Sequence, residues 1–166
     1  MAQATLSSER GLTLLEMSER MRGALWRLAN TIREQGRTGD PGVQREFGRL
    51  VTRIEACCAL ADQFLQRRIA GEERIGDASI IKLYYARVLR EFTSMGLRIG
   101  GLDTQYMTPI TFGGGQETGN WIVDFMNSYA WSIAGGSDEI QRNIISERLL
   151  GMPREPKNWL VGGDVL

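Results

Sequence analysis

The 166-residue sequence contains no histidine. This absence excludes a Ser-His-Asp triad, a Cys-His catalytic pair and a histidine-ligated zinc site within the chain. Any proton transfer that the chain performs must therefore use a carboxylate, a Lys, Tyr or Cys side chain, or a base that a partner chain supplies. The sequence predicts no metal site.

Cysteine is also scarce, and the two that are present, Cys57 and Cys58, are adjacent. Neighbouring side chains on a helix point about 100° apart, so a disulfide between them is not expected. We interpret both as small core residues of a protein in a reducing compartment.

Neither sign of charge is in excess, because twenty Lys and Arg residues balance twenty Asp and Glu residues. A balanced chain gives no electrostatic reason to favour nucleic acid or an anionic membrane as its main partner. No apolar run approaches the roughly 20 residues of a membrane span. The opening MAQATLSSER is more polar than a signal peptide. We therefore expect a cytoplasmic protein that binds neither nucleic acid nor membrane.

Only four prolines are present, and none interrupts a long stretch of periodic apolar residues. Apolar residues recur at steps of three and four, which predicts amphipathic helices. The predicted helices span about residues 7–33, 43–70, 77–97, 121–133 and 137–150. We predict an all-α fold, an antiparallel helical bundle of about five helices, in one domain over residues 1–166.

The same periodicity predicts caps and buried faces. Asp77 or Ser79 is the expected N-cap of the third helix. The inward-facing residues predicted for the last two helices are Ile122, Phe125, Tyr129 and Ile133, followed by Ile140, Ile144 and Ile145.

The stretch IAGGSDEIQRNIISERLLG, residues 133–151, places two glycines and a serine in front of a helix. Gly135 and Gly136 can take left-handed backbone angles and let another group approach the backbone closely. Ser137 and Asp138 are good N-cap residues. The residues alone leave two interpretations open. One is an ordinary capped turn, and the other is a set of backbone N–H groups that face an electron-rich ligand such as a flavin or phosphate.

Four stretches together resemble one family. GGSDEIQRNIISERLLGMP resembles the signature of the C-terminal helical domain of acyl-CoA dehydrogenases. DFMNSYAWSIAGGS is similar to the helix and turn before it, SERGLTLLEMSERMRGALWRL to the long first helix, and LRIGG to the end of the central helix. Family members are more than twice as long. The resemblance thus implies that an N-terminal helical domain and a β-barrel domain are missing, or that a partner subunit supplies them.

The resemblance implies an activity as well. Family enzymes bind FAD and oxidise an acyl-CoA thioester to its trans-2-enoyl form, as a carboxylate removes the α-proton and the β-hydride goes to the flavin. An electron-transfer flavoprotein is the implied electron acceptor, and the implied assembly is a homo- or hetero-oligomer. We expect the isolated chain to be inactive, because a bundle of this size cannot alone enclose a flavin and a CoA thioester.

The resemblance assigns site residues, with one departure. The commonest family pattern has a catalytic Glu at the hinge, where this chain has Gly135. A subset of the family takes its base from a Glu-Arg pair in the first helix, which matches Glu9-Arg10, so Glu9 is the implied catalytic base. The implied cofactor-binding residues are Gly100, Gly101, Gly135, Gly136, Ser137 and Glu139.

A second departure concerns the loop after the first helix. The family's Arg-x-x-Phe-Gly element, which contacts FAD, is replaced by EQGRTGDPG, with Arg33 and Arg37 as candidate substitutes. Two alternatives therefore stay open. The chain can be a non-catalytic assembly subunit of a heteromeric dehydrogenase, or part of a flavin monooxygenase on the same fold.

Overall fold

The computed structural model of the chain describes residues 2–106 and 118–154, with side chains described from residue 13 onward. Within these ranges the chain is helical: α1 (Ala2–Gly23), α2 (Leu25–Glu34), α3 (Pro41–Ile69), α4 (Asp77–Gly100), α5 (Trp121–Ala130) and α6 (Asp138–Ile144). A 3₁₀ turn, Gly101–Thr104, follows α4, and a π-helical turn, Ile145–Leu149, follows α6. The all-α prediction is confirmed. None of these helices is both long and apolar enough to cross a bilayer.

The first predicted helix is divided at Ala24 into α1 and α2. Ala24 keeps a right-handed backbone with φ −77° and ψ −7°, and its N–H still donates to the carbonyl of Arg20 at 2.9 Å. An apolar stripe at helical spacing continues across the break, since Leu14, Met21 and Leu28 are all buried. The two helices therefore present one continuous face to the core.

α3 begins at a cap that the loop sequence supplies. The Asp40 carboxylate accepts hydrogen bonds from the N–H groups of Gly42 at 2.8 Å and Val43 at 3.2 Å. Pro41 takes the first helical position, where a missing N–H does no harm. α3 follows α2 through a short connection and packs against α1. The chain therefore reverses direction, and α3 runs antiparallel to α1.

α4 is the central helix of the fold and packs against each of the other five. It is buried on more than one side, because Ile81, Tyr85, Leu89 and Phe92 all lie in the core. It also runs three residues past the predicted end at Leu97, to Gly100. A helix in this position can hold several other elements at once.

The third predicted helix corresponds to α4. The prediction that Asp77 or Ser79 is its N-cap is wrong. Gly76, with φ +110°, takes the N-cap position, and Asp77 is the first helical residue. The buried Asp77 carboxylate instead pairs with the guanidinium groups of Arg67 at 3.1 Å and Arg74 at 3.0 Å, which ties α4 to α3 and to the connection between them. Burial on its own raises the pKa of Asp77, but the hydrogen bonds from Arg74 and Arg67 outweigh it and hold that pKa below its usual value.

The two cysteines are buried and free, as predicted. Burial raises the pKa of the Cys57 thiol. For Cys58, burial and the nearby negative charge of Glu19 raise the pKa to about 12. Both thiols therefore stay protonated at neutral pH and serve as packing groups in the core.

Candidate functional site

The turn between α5 and α6 has the left-handed geometry that its glycines allow. Gly135 has φ +70° and Gly136 has φ +100°. Ser137 then takes an extended conformation, and its Oγ accepts a hydrogen bond from the N–H of Ile140 at 3.5 Å. The hydrogen bond expected of Ser137 as an N-cap residue is therefore present. Its contact with a flavin remains a prediction.

Two buried side chains hold the carbonyl groups of this turn. The Nε2 group of Gln141 donates to the carbonyl oxygens of Gly135 at 3.0 Å and Gly136 at 3.2 Å. The Nζ group of Lys82, on α4, also donates to the carbonyl of Gly136 and lies 4.0 Å from the Asp138 carboxylate. A Cβ at Gly136 would stand 2.8 Å from Gln141 Nε2, so this bond requires glycine there.

α4 contacts the segment before the turn as well. The Arg90 guanidinium donates to the Ser132 hydroxyl and lies 4.6 Å above the ring centroid of Tyr129. Tyr85 and Trp131 meet edge to face, with ring centroids 5.6 Å apart. Side chains of α4 therefore contact this path at its start, and Lys82 of α4 joins Gln141 of α6 at its end.

Glu139 lies in the first turn of α6 and is exposed. Hydrogen bonds from its own backbone N–H and from the Ser137 side chain lower the pKa of its carboxyl group. It also faces Arg142 at 3.6 Å across an exposed ion pair. The group is ionised at neutral pH, and its proposed place near the cofactor stays a prediction.

Gly100 and Gly101, both implied cofactor-binding residues, lie in different surroundings. Gly100 is the last residue of α4 and is buried, and a Cβ there would stand 2.1 Å from a side-chain carbon of Thr104. Gly101 opens the 3₁₀ turn with φ +65°, and in the part of the chain that the structure describes no atom lies within 4 Å of where its Cβ would be. Gly100 therefore serves internal packing, whereas Gly101 offers accessible backbone.

Glu9 lies within α1, which begins at Ala2 and so earlier than predicted. Its side chain is outside the described residues, and its role as the base remains a prediction. The two candidate arginines of the next loop have partners inside the chain. Arg33 donates to the Asn30 side chain at 2.6 Å, and Arg37 donates to Asp40 at 2.5 Å.

The predicted buried face of α5 is wrong. Tyr129 is 46% exposed, and Ile133 beyond the helix is 74% exposed. The residues that point inward are Trp121, Asp124 and Ser128. The apolar residues on the other side are the half-buried Ile122 and Phe125 and the exposed Met126 and Tyr129, with Ile133 just beyond the helix. α5 therefore presents an apolar face that the described residues leave partly uncovered.

α6 repeats this reversal. Ile140, predicted to face inward, is 51% exposed, while the polar Gln141 beside it is 1% exposed. Ile144 and Ile145 are half-buried. Gln141 takes the inward position because its amide is needed at the glycine carbonyls, which an isoleucine could not serve. We call the exposed apolar residues of α5 and α6, from Met126 to Ile140, the outer apolar face.

A buried ion pair that the sequence analysis missed joins α5 to α2. The Asp124 carboxylate, fully buried, lies 2.7 Å from Arg27 Nη1 and accepts two hydrogen bonds from Thr118 at 2.9 Å each. The Arg27 guanidinium lies 4.0 Å from the Trp121 ring centroid, and Trp121 Nε1 donates to Thr31 at 3.1 Å. The only sequence signal was an acid inside an otherwise apolar helix.

The fold and the turn match one family. The model of the acyl-CoA dehydrogenase C-terminal domain matches residues 1–150, so the chain belongs to this family of oxidoreductases, which are generally FAD-dependent. In Mycolicibacterium smegmatis, acyl-CoA dehydrogenase IpdE1 is 32% identical over 156 residues, covering 94% of this chain and 37% of the relative. In Mycobacterium tuberculosis, IpdE1 is 30% identical, with 94% of this chain and 38% of the relative covered.

Solved structures agree on the fold. The structure named Tcur3481-Tcur3483 steroid ACAD superposes with a TM-score of 0.77 at 22% identity, covering 90% of this chain and 38% of that one. A variant of the same protein gives a TM-score of 0.78, with 93% and 40% covered. The chain thus spans about two fifths of the length of the relatives that it matches.

Proposed function

We propose that residues 1–166 are the C-terminal domain of an FAD-dependent acyl-CoA dehydrogenase that oxidises acyl-CoA thioesters to trans-2-enoyl-CoA. The observation that carries this proposal is the family match over residues 1–150, which includes the turn at Gly135 and Gly136. The 32% identity to an acyl-CoA dehydrogenase over nearly the whole chain supports it further.

Two of the proposed cofactor-binding glycines fit a flavin in one respect. Among the described residues no atom lies within 4 Å of where a Cβ of Gly101 would stand, and Gly135 is exposed with φ +70°. A flat ligand can approach backbone closely where no side chain intervenes. We propose that Gly135 and the Ser137 hydroxyl face the cofactor at the turn. Gly101 would make a separate cofactor contact at the opposite end of α4, since Lys82 contacts the turn and Gly101 lies 19 residues after it, about 28 Å along a helix. Gly100 and Gly136 would support these contacts from inside. FAD, when bound, supplies the acceptor for the substrate hydride.

The proposed base is Glu9. A glycine at position 135 cannot accept a proton, so the α-proton of the thioester has to move to a carboxylate on another element. In a water-poor cleft the pKa of a carboxylate rises, which makes it a stronger base toward a weakly acidic carbon. Glu9 would then carry the proton on a carboxylate oxygen while the thioester loses its hydride.

We propose that the outer apolar face is covered by the part of the enzyme that this chain does not contain. The chain spans 37% of the IpdE1 relative, so most of a complete enzyme is absent here. Met126 on α5 and Ile133, two residues before Gly135, are 64% and 74% exposed. Missing domains or a partner subunit that completed the site would cover this face, and an electron-transfer flavoprotein would reoxidise the assembly.

A second function, a non-catalytic subunit that completes a partner's site, is favoured by one observation. The turn lacks the acid of the commonest family pattern, and its carbonyls are held by Lys82 and Gln141 of the same chain. In such an assembly the base would come from the sister chain.

The experiment is to assemble this chain with its missing domains or partner and add acyl-CoA under anaerobic conditions, following flavin absorbance. A straight-chain and a steroid-derived thioester would both be tried. Glu9→Gln should leave flavin bound and lower the rate of its reduction at least a thousandfold. Glu16→Gln is the matched control, since Glu16 lies on the same helix and is exposed, paired with Arg20 at 2.6 Å.

The outcomes separate the two functions. If the unaltered assembly is reduced and Glu9→Gln is as fast as Glu16→Gln, Glu9 is not the base and the sister subunit must supply it. If the assembly binds no flavin, neither function holds. Oxygen consumption with substrate and no electron acceptor would indicate a monooxygenase.

A further inference from the structure

The carbonyl oxygen of Gly136 accepts hydrogen bonds from two side chains, whereas that of Gly135 accepts one from Gln141. The Gly136 carbonyl accepts from Lys82 on α4 and from Gln141 on α6, two donors that approach from different elements. Both donors are almost fully buried, with Lys82 3% and Gln141 1% exposed. A buried ammonium is unfavourable unless it is paired and hydrogen-bonded, so its position is set by the groups that it meets.

The two donors act on a backbone that has no preference of its own. Gly135 and Gly136 lack a Cβ and can take many combinations of φ and ψ, so the sequence does not select the observed turn. Hydrogen bonds from a cation and from an amide to consecutive carbonyls select one orientation of both peptide planes. The same orientation determines where the N–H groups on the other edge of those planes point.

We infer that Lys82 and Gln141 are positioning residues, which fix the Gly135–Gly136 turn in the one conformation that can face the cofactor. This inference rests on the proposed function for its link to FAD. Neither side chain contacts the cofactor in this account. They act through the two peptide groups, and Lys82 Nζ also lies 4.0 Å from the Asp138 carboxylate at the start of α6.

α4 also contacts the segment that precedes the turn. Arg90, eight residues after Lys82 on the same helix, donates to the Ser132 hydroxyl. The α4 helix therefore holds the segment before the turn and the turn itself. Because many α4 side chains lie in the core, core packing fixes the position of α4. α4 in turn fixes the position of the proposed cofactor-binding turn.

The test replaces each donor with an apolar residue of similar length, Lys82→Met and Gln141→Leu. Thr93→Val is the matched control, since Thr93 is fully buried on α4 and donates to the carbonyl of Leu89 at 2.9 Å, away from the turn. Lys82→Arg keeps a cationic donor. Amide exchange over residues 132–141 is measured in the full chain. Flavin affinity and the visible circular dichroism of the flavin are measured in the full assembly.

We expect Lys82→Met and Gln141→Leu to speed exchange across the turn at least tenfold and to weaken flavin binding at least tenfold, with an altered flavin signal. Thr93→Val should lower the melting temperature without either change, and Lys82→Arg should restore part of the flavin affinity. If Lys82→Met does not fold, Gln141→Leu alone decides.

The inference is overturned if both variants match Thr93→Val in exchange and in flavin affinity. Faster exchange with unchanged flavin affinity also overturns it, because the turn would then be fixed without serving the cofactor. If the unaltered assembly binds no flavin, the proposed function fails as well, whereas exchange still decides whether Lys82 and Gln141 set the turn.

Discussion

Asp124→Asn tests the buried ion pair between α2 and α5. The substitution keeps the shape of the side chain and an oxygen that can accept from Thr118, but it removes the negative charge beside Arg27. The Arg27 side chain is only 15% exposed, so its charge would remain in the protein interior without a counter-charge. The change therefore isolates the electrostatic part of the contact.

The expected loss is large. Removing one partner of a buried ion pair destabilises a protein by about 3–5 kcal/mol, because the remaining charge has no compensation. The partial exposure of Arg27 and its contact with the Trp121 ring place this case at the lower end, about 3 kcal/mol. For a domain of this size that corresponds to a fall in melting temperature of about 6–12 °C.

Urea unfolding of the full chain, followed by circular dichroism, measures the loss. Arg27→Met and the double variant complete a double-mutant cycle. The double variant should be more stable than the sum of the single changes predicts, by more than 1 kcal/mol, roughly the coupling expected of contacting residues. Glu16→Gln, which breaks an exposed pair with Arg20, should change the free energy of unfolding by less than about 0.5 kcal/mol.

Two results would refute the reasoning. A loss for Asp124→Asn no larger than that for Glu16→Gln would mean that burial adds nothing to the pair. Strict additivity in the cycle would mean that Arg27 and Asp124 do not depend on each other, and that the losses come from packing around each residue separately.

Two further predictions follow from close contacts. Gly96→Ala should destabilise the chain by about 1–2 kcal/mol in urea unfolding, because the new Cβ would stand 2.2 Å from the Trp121 ring, which is tied to Thr31. Gly48→Ala, at an open site in α3, should be neutral or stabilising. Asp77→Asn should lower stability at pH 7 by about 1–3 kcal/mol. The folded-state pKa of Asp77 lies below its unfolded value, so its contribution is present above about pH 4 and is lost as the pH falls through the folded pKa. The variant should therefore show a flatter decline in stability on acidification, and an unchanged acid profile would contradict the assignment.

The fold was predictable because the core of this domain is built from one face of each long helix. Leu14, Met21 and Leu28 on α1 and α2, and Ile54 on α3, are buried where the three- and four-residue spacing placed them. Gly36 and Asp40 likewise marked the loop before α3. These signals are local, because the spacing of apolar residues along one helix is visible without knowledge of what the helix packs against.

Which faces of α5 and α6 are buried could not be predicted from the spacing of apolar residues. Periodicity reports that a helix has an apolar face, but it does not report what covers that face. Tyr129, Ile133 and Ile140 follow the helical spacing and remain exposed, while Asp124 and Gln141 are buried. A face covered by another domain or subunit gives the same sequence pattern as a face covered by the chain itself.

The site was less predictable than the fold, because its contacts join residues far apart in sequence. Lys82 looks like an ordinary helical lysine until α4 places it against Gly136, 54 residues later. Arg27 gives no sign of its partner Asp124 for the same reason. The glycines of the turn were identifiable, since two of them before a serine-capped helix is a local pattern, but the donors that hold them were not.

The absence of an acid at the turn is consistent with the backbone around it. Gly135 has φ +70°, a conformation that costs a residue with a Cβ roughly 1–2 kcal/mol, so the turn as it stands favours glycine over glutamate at this position. The base that we propose lies on another element. α6 packs against α4 and the π-helical turn, whereas α1, which carries Glu9, packs against α2, α3 and α4. The proposed base on α1 and the proposed cofactor contact at the α5–α6 turn therefore lie on helices that, among the described residues, have no substantial packing against each other, and the substrate would have to reach both. This geometry would make the proposed chemistry depend on assembly.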